Sequence, residues 1–479
     1  MRIRVDSIGC RLNISEVEEM ARAFAGAGHR LVGPGELADL YVFNSCAVTH
    51  VASRKSRQII RQMRRANPQA AIVVTGCYAE LAPQEINALG VDLLVPNEQK
   101  DQLPQILTEA GLLRDADPIP AVDAPSFIPL SSLAGEIEGS HTRAFVKVQD
   151  GCDNRCTFCI VTVARGASRS RPVAEIVAEI NRLVGLGYQE AVLSGVHLGS
   201  YGHDGGASYG LPHLVRTILA ETDLPRLRLS SLEPWDLDAD FFELWQNKRL
   251  LAHLHLPLQS GCDATLRRMA RRTNQAQFAA LVEAARAAIP DVSITTDIIV
   301  GFPGETEAEF AESLAFVEQM KFAKLHIFRY SRREGTAAAS MRGQVPAPVA
   351  QERSQRMHLL NASLEDLFRR QFVGRMLPVL WESHEPYGFG LQWSGLTGNY
   401  LRVVTHTSPE VNLRNQVIDT HLLETAPAAL LGQLAPVFGG FPAGIRFELV
   451  PSQSLTWTSQ SQKGTQSYAE TLQRHAEKR

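Results

Sequence analysis

The 479 residues predict an α/β chain in three parts: a parallel α/β domain, an open (βα)6 partial barrel and a small all-β barrel. Three observations carry that expectation. Apolar runs alternate with helical patterns through the first hundred residues. The alternation restarts near residue 142 with six further apolar runs. From about residue 372 the pattern becomes short alternating strands broken by glycine and proline, as in small β-barrels. A prior of ~150 residues per domain leaves room for three.

The first domain is expected over 1–115. RIRVDSIGC ends at Cys10 and precedes NISEVEEMARAFAGAG; LYVFNSC ends at Cys46 and precedes a basic helix; AIVVTGC ends at Cys77 and precedes AELAPQEINALG. In parallel sheets the carboxyl ends of the strands gather along one edge, where ligands bind. Each cysteine is expected within two residues of a strand end, so separations of 36 and 31 residues become spatial neighbours. Free cysteines also pack as small core residues. Core packing, however, gives no reason for all three to fall at strand ends.

Residues 116–141, inside an aperiodic proline-containing stretch, read as a linker. The second α/β series spans 142–370, with strands expected at 144–149, 190–195, 226–234, 253–260, 293–301 and 324–331. The β-barrel follows over 371–434, and 435–479 reads as a loosely held tail.

The loop after the first strand of the second series is DGCDNRCTFCIV, which places Cys152, Cys156 and Cys159 in a C-x3-C-x2-C spacing. Three thiolates ligate three irons of a four-iron cube and leave the fourth open. A zinc knuckle would need a fourth nitrogen or sulfur ligand, and no local His or Cys offers one. Seven cysteines make an odd disulfide scaffold, and Cys262 fits neither triplet and reads as a packed small residue. The N-terminus has no apolar leader and eighteen apolar residues never run together, so a cytoplasmic monomer without membrane contact is expected. The formal net charge of −3 excludes neither RNA nor protein partners.

The triplet with Phe158 before its last cysteine resembles the signature of the radical S-adenosylmethionine (AdoMet) superfamily. Nine collinear runs extend the likeness: SIGCRLNISEVE, FNSCAVTHVASRKSRQ, VVTGCYAE, CTFCIVTVARGASRSRP, SGVHLGSYG, SSLEP, HLPLQSGCD, TDIIVGFPGET and FRYSRREGTAA. Together they resemble the radical-AdoMet methylthiotransferases, whose layout is an N-terminal cluster domain, a radical-AdoMet core and a C-terminal TRAM barrel. The resemblance implies two 4Fe-4S clusters, one on Cys152, Cys156 and Cys159 that binds AdoMet and an auxiliary one on Cys10, Cys46 and Cys77. AdoMet would serve as radical source and as methyl donor. For AdoMet contacts it points to Phe158, to Gly195 and Gly301 at strand ends, and to Glu233 and Gln259. Turn requirements explain the glycines equally well, and rim polarity nearly explains the other two. Asp297, inside an apolar strand, needs a partner, catalytic or structural.

CAVTHVASRKSRQ and YSRREGTAA most resemble the branch acting on N6-threonylcarbamoyladenosine (t6A) beside the tRNA anticodon. Isopentenyladenosine and a ribosomal-protein aspartate are the alternative acceptors. A cobalamin-dependent enzyme would carry D-x-H-x-x-G, which is absent. A non-catalytic iron–sulfur RNA sensor is the remaining alternative. The anticodon stem-loop would meet Arg54, Arg57, Arg61 and Arg64, which recur at helical spacing in a segment without acidic residues, and Trp393, Tyr400 and Arg402 of the barrel. Basic runs at 165–171, 267–272 and 329–333 would add to that field. An electron donor such as flavodoxin or ferredoxin and a sulfur donor complete the expected partners.

Overall fold

LYVFNS is buried at every position, as a parallel strand covered on both faces should be. The computed structural model describes residues 1–113, 142–205, 210–238 and 240–435. In it β1 (Arg2–Ser7), β3 (Leu40–Ser45) and β4 (Ala71–Gly76) lie parallel, flanked by the short strands β2 (Arg30–Leu31) and β5 (Leu93–Leu94) in the order β2-β1-β3-β4-β5. The strands lead into α1 (Arg11–Gly26), α2 (His50–Ala66) and α3 (Cys77–Leu81). Thr49 caps α2, its hydroxyl accepting the Ala52 amide at 3.1 Å. Cys46 and Cys77 directly follow their strands. Cys10 comes three residues after β1 instead of within two, because the Ile8 amide still donates to the Asn44 carbonyl (3.2 Å) before Gly9 turns at φ +126°.

The second series forms two parallel triplets, β6 (Arg143–Lys147), β9 (Glu190–Ser194) and β10 (Arg226–Leu229), then β11 (His253–His255), β12 (Ser293–Val300) and β13 (Lys324–Arg329). Bridges Leu227–Leu250 and Ser231–His255 join them into the expected open arc of six strands in chain order. β10 and β11 end earlier than the sequence suggested, and beyond them the chain keeps only single backbone bonds to its neighbours, such as Ser230 to Leu193 and Leu256 to Thr295. The crossing between them is 3₁₀ (Pro234–Asp236, Asp240–Gln246) where the others carry α-helices, and it buries Phe241, Phe242 and Trp245. The two-residue strands β7 (Gln149–Asp150) and β8 (Arg169–Ser170) pair antiparallel and close the base of the Cys152–Cys159 loop. α1 covers the edge of β6: the Ser15 hydroxyl donates to the Phe145 carbonyl (2.8 Å) and accepts the Lys147 amide (3.1 Å). That satisfies an otherwise open strand edge.

The helix Ala347–Arg370 leads to a closed five-stranded barrel of β14 (Met376–Tyr387), β15 (Gly390–Thr397), β16 (Arg402–Thr407), β17 (Val417–Ala426) and β18 (Ala429–Leu434). Trp393 corrects an expectation here. It is 1% exposed and packs in the barrel core with Trp381 and Val403, so no base can stack on it. The expected linker, and the tail apart from Ala435, lie outside the described residues. No helix among the described residues is long and apolar enough to cross a membrane.

A buried carboxylate fastens the barrel to the central strands. Glu190 is fully buried between Arg226 (2.9 Å) and Arg228 (2.7 Å), whose other nitrogens donate to the carbonyls of Leu396 and Gly398. Burial pushes Glu190 up, but Arg228 and Arg226 outweigh it and hold the carboxyl at about 2. Its contribution to stability is therefore complete above the ordinary value of 4.5 and is lost as pH falls from there through about 2. Glu190→Gln leaves two buried guanidiniums facing a neutral amide. It should cost roughly 3–5 kcal/mol in denaturant unfolding and flatten the acid limb of the stability profile. An unchanged midpoint and an unchanged acid limb would contradict this assignment.

Candidate functional site

Cys152, Cys156 and Cys159 line one open cleft with Asn154, Gly335 and Thr336. The loop turns at Gly151 (φ +70°), where an added Cβ would sit 1.9 Å from the Ala167 carbonyl oxygen. Donors surround the thiols. The Asn154 amide donates to Cys152 Sγ (3.4 Å), and Arg271 lies 3.7 Å from Cys156 Sγ. Arg271 is held by both oxygens of Glu233 (3.1 and 2.5 Å) and covers the Trp235 ring at 4.5 Å. His197 pairs with Asp236 at 2.5 Å. Burial works against its imidazolium, yet hydrogen bonds to Asp236 and Cys152 raise it to about 10.

The second triplet sits where β1, β3 and β4 end. Gly9 has no room for a side chain, since a Cβ would meet Cys46 Sγ at 2.9 Å. Cys10 Sγ lies 3.6 Å from Asn13 Oδ1, and the Asn13 amide nitrogen reaches back to the Ile8 and Ser45 carbonyls. The three thiols share the wall of a cavity of about 820 Å³. The same cavity is lined by Ser194, Gly195, Ser231, His253, His255 and Asp297 of the central strands and their loops, and by Tyr400 and the exposed Arg402 of the barrel. Among the described residues no three His, Cys, Asp or Glu side chains are arranged around a single metal ion. Two separate sets of three thiols, each with one side open to a cleft or cavity, suit clusters better than lone ions. Burial pushes the thiols of Cys10, Cys46, Cys156 and Cys159 up, Cys46 to about 11 and Cys159 to about 12. Iron in place of the proton removes that penalty, because a coordinated thiol is deprotonated outright.

One ion network joins the two sets. Arg165, six residues after Cys159, donates to Glu16 (2.8 Å), Asp150 (2.9 Å) and Asn13 (2.9 Å). Glu16, six residues after Cys10, also accepts from Lys100 (2.8 Å) and Asn44 (2.8 Å). Burial opposes the Glu16 carboxylate, but Lys100 and Arg165 hold it well below the usual range. The sequence reading missed this network, taking Arg165 as part of an RNA-facing run. Polar residues at 13 and 16 on a helix packed into a core were the available sign.

The other expected residues divide. Gly195 lines the cavity. Glu233 is engaged by Arg271, so it supports the cysteine loop instead of standing free on the rim. Gly301 is a packing glycine: at φ +73° a Cβ would strike Ala350 Cβ at 2.7 Å. Gln259 adopts φ +75° in a kink whose backbone bonds Asp297 and Ile299, and Phe158 packs edge-on against Phe302. Asp297 is paired with His255 at 3.3 Å, and Cys262 is buried, donating to Glu312. On α2 only Arg54 and Arg61 of the four arginines are exposed, with Lys55 and Arg65. Arg57 is drawn back to Tyr78 (2.5 Å) and Glu85 (3.1 Å). Arg64 is tied to Asp92 (2.6 Å) and three carbonyls, which corrects its expected RNA role. Arg402 is exposed and lines the cavity, while Tyr400 points inward and not to solvent.

Residues 146–317 match the Radical SAM superfamily and residues 2–95 the uncharacterized protein family UPF0004. The chain is 36% identical over 412 residues to a threonylcarbamoyladenosine tRNA methylthiotransferase MtaB of Bacillus subtilis, covering 83% of this chain and 89% of that protein. It is 35% identical over 438 residues to a tRNA-2-methylthio-N(6)-dimethylallyladenosine synthase of Novosphingobium aromaticivorans, covering 90% and 97%. Among solved structures, the radical S-adenosylmethionine methyltransferase TsrM of Kitasatospora setae, with cobalamin and a 4Fe-4S cluster bound, superposes with a TM-score of 0.50 at 14% identity over 71% of this chain and 77% of that one. That likeness is one of fold.

The raised thiols are open to measurement. In iron-free protein, the alkylation rates of Cys46 and Cys159, followed by peptide mass spectrometry across pH, should climb with midpoints near 11 and 12. A midpoint near the ordinary 9.0 for either would show that burial does not act on it.

Proposed function

The chain belongs to the radical-AdoMet methylthiotransferases, and from that premise we propose that it adds a methylthio group to C2 of N6-threonylcarbamoyladenosine next to the tRNA anticodon. The observation that carries the choice of substrate is the charge of the cavity. Arg11, Arg143, Arg165, Lys324, Arg369 and Arg402 line it against two carboxylates, Asp297 and Glu365. Relatives bearing the two tRNA substrate names match this chain about equally well, at 36% and 35% identity. The substrates differ in the group on N6. Threonylcarbamoyl carries a carboxylate and a hydroxyl, whereas dimethylallyl is a hydrocarbon. Arg11 and Arg402, the lining guanidiniums with no carboxylate partner among the described residues, favour the former.

In this reading Cys152, Cys156 and Cys159 hold the AdoMet-binding 4Fe-4S cluster, and Cys10, Cys46 and Cys77 hold the auxiliary one. When bound, the clusters and AdoMet supply the radical that removes the C2 hydrogen and the sulfur and methyl group that replace it. The protein's part is placement and field. Arg271, fixed by Glu233, and His197, fixed by Asp236, place positive charge beside the sulfurs of Cys156 and Cys152. Hydrogen bonds and charge of this kind set a cluster's potential. Gly195 lines the cavity at the end of β9, where an added Cβ would meet Gln149 Oε1 at 2.9 Å, so close packing there admits only glycine. The exposed side of α2, with Arg54, Lys55, Arg61 and Arg65, and the exposed Arg402 of the barrel attract the phosphates of the stem-loop. Each turnover consumes a sulfur, and cleavage of AdoMet starts only from a reduced cluster, so a sulfur donor and a reductant of the flavodoxin or ferredoxin class are required partners. A tRNA substrate puts the work in the cytoplasm.

Anaerobic incubation of reconstituted protein with AdoMet, dithionite and tRNA lacking methylthio groups should put a methylthio increment on threonylcarbamoyladenosine, seen by nucleoside mass spectrometry. One 5′-deoxyadenosine and one S-adenosylhomocysteine should accompany each product. Deoxyadenosine release with the increment on dimethylallyladenosine alone, or on no nucleoside, would refute the substrate. The ligand assignment has its own test. C10A/C46A/C77A and C152A/C156A/C159A should each keep about half the iron of the parent, roughly four atoms per chain; loss of all iron, or of none, from either variant would overturn it.

A further inference from the structure

Arg11 is the first residue of α1, next to Cys10, and its side chain lines the cavity. The cavity's other cations, Arg402 apart, have carboxylate partners. Arg143 pairs with Glu382 (2.6 Å), Arg165 with Glu16, and Lys324 and Arg369 share Glu365. Arg402 stands exposed and bonds Ser394. Arg11 has no carboxylate within 4.0 Å among the described residues, and its hydrogen bond goes to a neutral acceptor, the Tyr400 hydroxyl, at 2.8 Å. A guanidinium has five N–H donors and cannot deprotonate. At a half-buried position such as this one, a guanidinium without a counter-anion is open to a ligand that supplies the anion.

Tyr400 is itself unusual. It holds φ at +68°, a conformation that an aromatic residue keeps only where its surroundings demand it. The surroundings here are explicit. Its hydroxyl accepts from Arg11 and from Arg143 (3.2 Å), Arg228 lies 4.6 Å over its ring, and His253 stacks on it at 4.6 Å and 22°. The barrel thus pushes one phenol into the cavity from the β15–β16 turn and pins the Arg11 guanidinium by one edge.

We infer that Arg11 is the specificity-determining residue that pairs with the carboxylate of the threonylcarbamoyl group, and that Tyr400 is its positioning residue. This rests on the substrate proposed above. A dimethylallyl group offers Arg11 nothing and would leave the guanidinium desolvated and unpaired, so the same residue that attracts one substrate rejects the other.

The test uses the full chain with both clusters reconstituted and anticodon stem-loops carrying t6A, its neutral methyl ester, or unmodified adenosine. Anaerobic fluorescence anisotropy gives Kd, and methylthiolation gives kcat and KM. The parent should bind the acid ~10–100-fold tighter than the ester, the range of one charge-assisted pair. Arg11→Gln should abolish that preference by weakening the acid alone, Arg11→Lys should restore part of it, and Tyr400→Phe should raise KM for the acid while kcat stays close to the parent's. An Arg11→Gln protein that keeps its iron and still prefers the acid overturns the inference. If the substitution costs the auxiliary cluster its iron, the parent's comparison of acid with ester decides alone: equal affinities overturn the inference. Failure of the substrate reading looks different, since the parent would then leave the t6A stem-loop unmodified while binding iron and releasing deoxyadenosine.

Discussion

The contact on which the rest of the site depends is the buried ion cluster of Glu16, Arg165, Lys100 and Asp150. Its side chains are nearly inaccessible: Glu16 is 1% exposed and Arg165 and Lys100 are 2% exposed. Buried ion pairs are weak sources of stability, because desolvation consumes most of the Coulombic gain. Their use is in geometry. Glu16 and Arg165 each follow a cysteine of a different triplet by six residues, so the pair measures one cysteine loop against the other. A reaction that needs both sets of thiols at one substrate is sensitive to such placement, since about 1 Å of misplacement can cost on the order of a hundredfold in rate. An apolar contact would hold the two loops together without fixing their register to a hydrogen bond. The same network also reaches Cys10 directly, through Arg165 and Asn13.

The barrel is held by the same means. Glu190 lies on β9, at the centre of the first strand triplet, and its two arginines reach out to the backbone at 396–398. Tyr400 follows directly. The electrostatic anchor and the phenol that enters the cavity are therefore parts of one turn, and docking the barrel completes the cavity wall. A barrel of this kind reads from the sequence as an RNA-binding appendage; in the folded chain it also forms one side of the cavity that holds Cys10, Cys46 and Cys77.

Much of the architecture was legible because it rests on periodicity. Strand–helix alternation gave the two parallel sheets, and the rule that strand ends share an edge brought Cys10, Cys46 and Cys77 together across 67 residues. What was not legible depends on partners. The helical spacing of Arg54, Arg57, Arg61 and Arg64 assigns them to one side of α2, but nothing in that spacing says that Asp92 and Glu85 come back to claim two of them. Glu233 at the end of a strand looked free for a ligand until Arg271, 38 residues on, took both its oxygens. Trp393 alternates correctly for either side of a barrel strand, and only closure of the barrel decides that it faces in. His253 and His255 were the readable omission, since a spacing of two on a strand places both on the cavity side.

The chain's net charge of −3 and the six cations of its cavity belong to one arrangement. Acidic residues elsewhere keep the average near neutral while the interior collects guanidiniums, so composition alone hides the sign of the site. Four of the six cavity cations have carboxylate partners within the fold, two of them sharing Glu365. The two without one are Arg11, beside the auxiliary thiols, and Arg402, exposed on the barrel. Each fits a different anion of the same substrate, the N6 carboxylate inside and the backbone phosphate outside. Because Tyr400 and Arg402 belong to the same barrel turn and strand, the grip on the stem-loop and the position of Arg11 are coupled: a barrel that shifts to accommodate RNA shifts the phenol that holds the guanidinium in place. Selection of the modified base is then not separable from binding of the tRNA that carries it.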